Sequence, residues 1–404
     1  MYPYVARPAL LLITCVMVLC TSTFAKDAGD GLTMRGAINP RIQHGIDLIY
    51  QLRFAAADEH FGAIIEAAPD NPAGHFFLAM VGWWRVLIDL DDRTHDEALY
   101  TLLDRCIDVC DRRLQQDPDD FDAILFKGGA VGFRGRLRGD RHEFMRAARD
   151  GLRSLPLLEK SRQLEPTNKD ILFGQGIYNY FAEVIPQKHP VVRPVMLFLD
   201  GGDRELGLQQ LEQVGREGRY ARTEALYFLA QIYRIFEQDD ERALPYLVEL
   251  HEMYPTNALF HRYRARTLVA LGRWIEGVAQ YEEVARRSRS RQAGYHDRGH
   301  IEALYYIGKN AFRQRRRQAA VRSFVTADSL GSVLSGGSGK VTNGYASLVS
   351  LYLGMTYDEL GEHDEAVRCF DRVLELPPKG TSHELARRYR AEPFSRPPSV
   401  VPGS

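Results

Sequence analysis

Residues 343–380, NGYASLVSLYLGMTYDELGEHDEAVRCFDRVLELPPKG, constrain the fold of this chain more than any other stretch. Two segments of helical period flank a glycine-centred turn. Leu353, Gly354, Tyr357, Gly361, Ala366, Phe370 and Pro378 recur at the offsets of a two-helix repeat about 34 residues long. Each position has a physical reason. Gly354 lies where the helices cross, and a side chain there would push them apart. Ala366 is the matching small residue on the second helix. Leu353, Tyr357 and Phe370 fill the space between, Gly361 closes the turn with positive φ, and Pro378 stops the second helix.

A hairpin of this kind cannot bury its apolar face alone, so it predicts stacked neighbours. The spacing resembles the tetratricopeptide repeat (TPR), and other stretches follow the plan more loosely. Gly45, Leu48, Ala57, Phe61 and Pro69 outline one unit; further units run over 72–118, 119–166, 171–218, 224–257, 258–287 and 301–327. The expected fold is all-α, a right-handed superhelical α-solenoid of about eight TPR-like helix pairs. The block GDRELGLQQLEQ…EALYFLAQIY…YPTNALF…LGRW in 202–274 is also similar to the tetratricopeptide repeat protein 39 family and its bacterial relatives. That resemblance implies repeat architecture and names no ligand.

The expected layout begins with a signal peptide over 1–25: Arg7 supplies a positive start, Ala9–Cys20 an apolar run, and Thr23-Phe24-Ala25 a cut site before Lys26. An uncleaved anchor is the alternative, although the run is short for a span of about 20 residues. A linker (26–38), helix pairs (39–184), a proline-broken apolar insertion (185–202), further pairs (203–334), a Gly/Ser linker (335–342) and the consensus-like repeat (343–380) follow. Residues 381–404 read as a capping segment, through HELARRYR, and a disordered Pro- and Ser-rich tail. Arginine outnumbers lysine 44 to 8, a bias that fits a high-GC bacterium. Export would then lead to the periplasm, the outer membrane or the exterior.

A net charge of −1 does not suggest nucleic acid. Outside the leader only Cys106, Cys110 and Cys369 remain; the first two sit one helical turn apart at buried repeat positions, which favours packed thiols over a disulfide or metal pair. SGGSGKVT lacks the first glycine and the Ser/Thr of a phosphate loop, and His296…His300 lacks a neighbouring catalytic glutamate. No metal, cofactor or catalytic residue is expected.

Charge pattern carries the functional reading. Between Val284 and Arg322 stand eleven Lys/Arg and two Asp/Glu. A solvated basic loop and outer helix face would account for Arg315, Arg316 and Arg317. First helices line the concave groove of such arrays, however, and their inward positions read Tyr227, Gln231 and Arg234, then Arg262 and Arg266, then Tyr305, Lys309, Phe312 and Arg313. Arginines interleaved with aromatics suit an anionic, partly apolar ligand such as an acidic peptide. The insertion at 185–202 either covers the core or presents an apolar element to a membrane surface or partner. The expected function is an exported, non-enzymatic scaffold for a protein or peptide. The alternatives are an envelope accessory protein or enzyme acting on an anionic polymer, or a lipid-handling protein. The oligomeric state is open.

Overall fold

The computed structural model describes residues 32–35, 38–188, 201–334 and 344–395. The leader, residues 189–200 of the insertion, the 335–342 linker with its phosphate-loop lookalike, and residues 396–404 lie outside them. Among the described residues the chain is helical throughout, with seventeen α-helices, one π turn and no strand. None of these helices is long and apolar enough to cross a membrane.

The chain divides into two compact units, one ending at Ile232 and the other beginning at Tyr233. The first contains α1 (Pro40–Tyr50) and α2 (Phe54–Ala67), α3 (Pro72–Ile88) and α4 (Asp96–Gln116), α5 (Phe121–Asp140) and α6 (Phe144–Leu164), α7 (Ile171–Lys188) and α8 (Arg204–Glu217), then α9 (Arg222–Gln231). A π-helical turn, Ile232–Phe236, carries the chain on from α9. The second unit holds α10 (Asp240–Met253), α11 (Ala258–Ala270), α12 (Trp274–Arg289), α13 (Asp297–Arg313), α14 (Arg317–Leu334), α15 (Ala346–Leu360), α16 (His363–Glu375) and α17 (Ser382–Ala391). Within the first unit α1–α8 form four successive pairs before α9, and within the second α11–α16 form three successive pairs between α10 and α17.

The sequence sets each helix locally. Asn39, Asn71, Asp120, Asp203, Asp239 and Asn257 cap α1, α3, α5, α8, α10 and α11 by accepting hydrogen bonds from first-turn backbone N–H groups. Pro40 and Pro72 follow two of these caps, where a missing donor costs nothing. Three pairs share one crossing. A Cβ at Gly45 would stand 2.2 Å from Phe61, at Gly308 2.6 Å from Phe324, and at Gly354 2.5 Å from Phe370. All three phenylalanines are fully buried, as are Ala57, Ala320 and Ala366 on the same second helices. Each buried ring contributes roughly 1.5–3 kcal/mol.

Buried polar groups tie the first unit together. Asp150 on α6, with no exposed surface, accepts from Arg134 and Arg138 of α5. Asp170 Oδ1 accepts the backbone N–H groups of Arg219, Tyr220 and Ala221, which fixes the approach to α9. Cys106 and Cys110 are free buried thiols on α4, as their repeat positions predict.

Two boundaries differ from expectation. The expected insertion starts at 185, yet α7 continues to Lys188 with Pro186 in its last turn. So near a helix end, proline removes one backbone bond and has little helix left to disrupt. Phe394, inside the Pro- and Ser-rich stretch 393–404 expected to be disordered, is also held in place. Phe394 N–H donates to Asp358 Oδ2 at 2.7 Å, and its ring packs on Phe312 and Tyr389.

Candidate ligand-binding face

Glu302 organises the second unit. It sits one turn into α13, and its side chain is 1% exposed. Arg262 of α11 reaches Oε2 at 3.0 and 2.9 Å through Nε and Nη2. Arg266, one turn further along α11, reaches Oε1 at 3.0 and 2.7 Å through the same two nitrogens. Tyr281 OH on α12 donates to Oε1 at 2.9 Å. Burial alone would raise the carboxyl's pKa. The two arginine charges and these hydrogen bonds outweigh burial and hold it at about 2.

Aromatic rings extend this centre in both directions. Tyr306 stacks on Tyr281 at 4.7 Å, and Tyr345 meets both Tyr305 and Tyr306 edge-on or tilted. On one side Tyr263 lies beneath the guanidiniums of Arg266 (5.7 Å) and Arg234 (4.8 Å). On the other, the Lys309 ammonium stands 5.3 Å from the Tyr352 ring, 5.6 Å from Tyr305 and 5.8 Å from Trp274. Arg313, exposed, covers Trp274 at 4.2 Å. Burial, reinforced by the Arg313 charge, lowers the pKa of Lys309. The result is a cationic and aromatic strip across the first helices of successive pairs, with Glu302 as its anionic pivot.

The nine sequence-predicted residues divide accordingly. Arg234, Arg262, Arg266, Lys309 and Arg313 all lie on this strip. Tyr305 and Phe312 belong to it but are 4% and 6% exposed, so they support the face from beneath and do not line an open groove. Tyr227 and Gln231 are in the first unit, 2% and 7% exposed, with Tyr227 packed on Trp84. Their expected place in a groove is corrected for the same reason: the inward stripe of a first helix is largely covered by the helices beside it.

The basic run from 284 to 322 is not one patch. Arg286 and Arg287 pair with Glu283 on α12, and Arg317 lies 3.3 Å from Glu359. His296 stands at the N-cap position of α13 without a side-chain capping hydrogen bond, and His300 follows in the first turn; both are helix-start residues, as their position suggests. Sequence reasoning missed Glu302, Tyr263, Trp274, Tyr345 and Tyr352. Glu302 was visible as the one acid within the apolar run Ile301–Gly308. It also missed the π turn, although a signal existed: Ala230 and Ala243 are thirteen residues apart, where Gly308 and Ala320 are twelve.

A tetratricopeptide repeat family model matches residues 353–379. This identifies a TPR repeat in the chain, and with the succession of helix pairs the fold is an all-α solenoid of TPR type. No curated protein matches the chain, so the likeness to the tetratricopeptide repeat protein 39 family remains one of spacing. Among solved structures it is similar to a human IFIT1 dimer with PPP-AAAA (12% identity, 80% of this chain and 69% of that one, TM-score 0.43). It is also similar to yeast Tom70 (9%, 85% and 86%, 0.38) and to the C-terminal part of a TPR protein from Cytophaga hutchinsonii (17%, 72% and 95%, 0.35). These likenesses concern architecture alone.

Proposed function

We propose that this chain is an exported, non-enzymatic scaffold that binds an acidic protein segment on the first-helix face of its second unit. TPR folds generally bind proteins or peptides, and the acidic character of the ligand is the finer reading. One observation carries it: Lys309 has three aromatic faces around its ammonium and no carboxylate among the described residues, with a second cation, Arg313, on the same indole. Two cations sharing one ring repel each other, and an anion placed between them relieves that repulsion. The rings beside them supply apolar contact for residues flanking the acid. Export rests on the charged start, apolar run and small-residue cut site of the leader.

The test is peptide capture by the full chain and by the K309E/R313E double variant. Immobilised acidic, neutral and basic peptides of matched apolar content serve as probes. The acidic set should bind the wild type and lose about tenfold or more in affinity on charge reversal. Equal retention of all three sets by both proteins would sink the reading.

A further inference from the structure

Arg234 differs from the other cations of the strip. It lies in the π turn, a geometry that adds one residue to a helix and recurs at functional sites. Its side chain is only 10% exposed, yet Nε has no hydrogen-bond partner among the described residues. Asp240 Oδ1 is 3.8 Å away, beyond hydrogen-bond reach. Arg262, 14% exposed, by contrast meets Glu302 through both Nε and Nη2. A buried guanidinium N–H left unbonded is costly, and a guanidinium does not escape by losing its proton at neutral pH. Burial first, then the Arg266 charge, presses the Arg234 pKa below its ordinary value, in keeping with an unanswered cation.

A charge count specifies the missing group. Among the described residues Arg234, Arg262 and Arg266 face two carboxylates, Glu302 and Asp240, which leaves one positive charge uncompensated there. Both Glu302 oxygens are already occupied by the other two arginines and Tyr281. A monoanion would restore neutrality; a dianion would meet repulsion from the two carboxylates. A planar carboxylate matches the guanidinium fork. Arg266, over the same Tyr263 ring, has its side chain 30% exposed.

We infer that Arg234 receives a single carboxylate of the bound segment, with Arg266 beside it. This rests on the peptide-binding reading above and adds a specific anchor to it. The first arm follows thermal unfolding of the full chain in sodium acetate, chloride and phosphate at equal ionic strength. Acetate should raise the wild-type midpoint above both other salts. R234Q should melt no lower than wild type in chloride, because it removes an uncompensated buried charge, and should lose the acetate response. Three results overturn the assignment: no acetate effect on wild type, an acetate effect that survives in R234Q, or R234Q melting far below wild type in chloride. Should R234Q fail to fold, R234K decides; it keeps the charge without the fork, and an undiminished acetate response in it overturns the assignment.

The second arm uses acidic peptides with free or amidated C-termini. R234Q should bind the preferred form about tenfold more weakly. Sensitivity to amidation assigns the C-terminal carboxylate, and insensitivity a side-chain one. Peptides that bind wild type and R234Q alike, but not K309E/R313E, would leave the scaffold reading standing and remove this anchor. An Arg234-dependent acetate response without peptide binding would do the converse.

Discussion

Glu224 and Glu302 open the same tetrapeptide, Glu-Ala-Leu-Tyr, six residues before the crossing position of their first helices. Their chemistry is opposite. Glu302 meets two guanidiniums and stays ionised, whereas Glu224 meets the Tyr50 hydroxyl at 3.1 Å and the Trp84 indole N–H at 2.7 Å, both on Oε1. Its Oε2 has no hydrogen-bond partner. Burial raises the Glu224 pKa from 4.5 to about 7, because those hydrogen bonds and the Arg136 charge only partly offset desolvation. A raised folded pKa means the native state holds the proton more tightly. Stability should therefore be greatest below pH 4.5 and fall as pH climbs towards 7, by about 3 kcal/mol from this group. Urea unfolding at pH 5 and pH 8 checks this, with E224Q expected to show a much smaller difference. A wild-type difference that E224Q keeps in full would place its source elsewhere.

At the level of the helix pair, the turn after the crossing is the recurring device. Gly272 and Gly361 occupy it with φ of 76° and 82°, but Leu52 and Arg315 adopt φ of 60° and 58° at the same step. A side chain in the left-handed region costs about 1–2 kcal/mol, partly offset by the greater chain entropy that glycine loses. Arg315 is exposed, so Arg315→Gly should raise stability by about 0.5–1 kcal/mol, read from the denaturation midpoint. An unchanged or lower midpoint would mean that the Arg315 side chain contributes more than its strain removes. The turn at Gly361 and the crossing of Gly354 with Phe370 were legible because each depends on residues within a few turns of chain, whereas a positive φ at Leu52 or Arg315 carries no glycine to announce it. The site was legible only in part. Arg262, Arg266, Lys309 and Arg313 followed from their place on first helices. Their partners did not, since Glu302 joins α11 to α13 across an intervening helix, and whether a tyrosine lines a groove or props it depends on neighbours that repeat spacing leaves open. The late end of α7 shows the same limit: proline predicts a stop without fixing on which turn it falls.

For the molecule as a whole, a formal charge of −1 conceals a strip where cations outnumber acids. Binding there should weaken as salt screens the end formed by exposed Arg313 and half-buried Lys309 more than the buried Arg234 end. The proposed export predicts a mature chain starting at Lys26 in the cell envelope fraction. N-terminal sequencing of that fraction checks this, and a retained leader would favour the anchor. The π turn has a further consequence for how the protein is compared with its relatives. The anchoring arginine sits beside one surplus residue, so the capacity to bind can be lost through a single-codon deletion that leaves Arg234 in place. A relative with arginine at the aligned position but twelve residues between the two small positions would carry the right letter on the wrong helical phase. Chain length between those landmarks, more than residue identity, is then the character by which binding and non-binding members should be sorted.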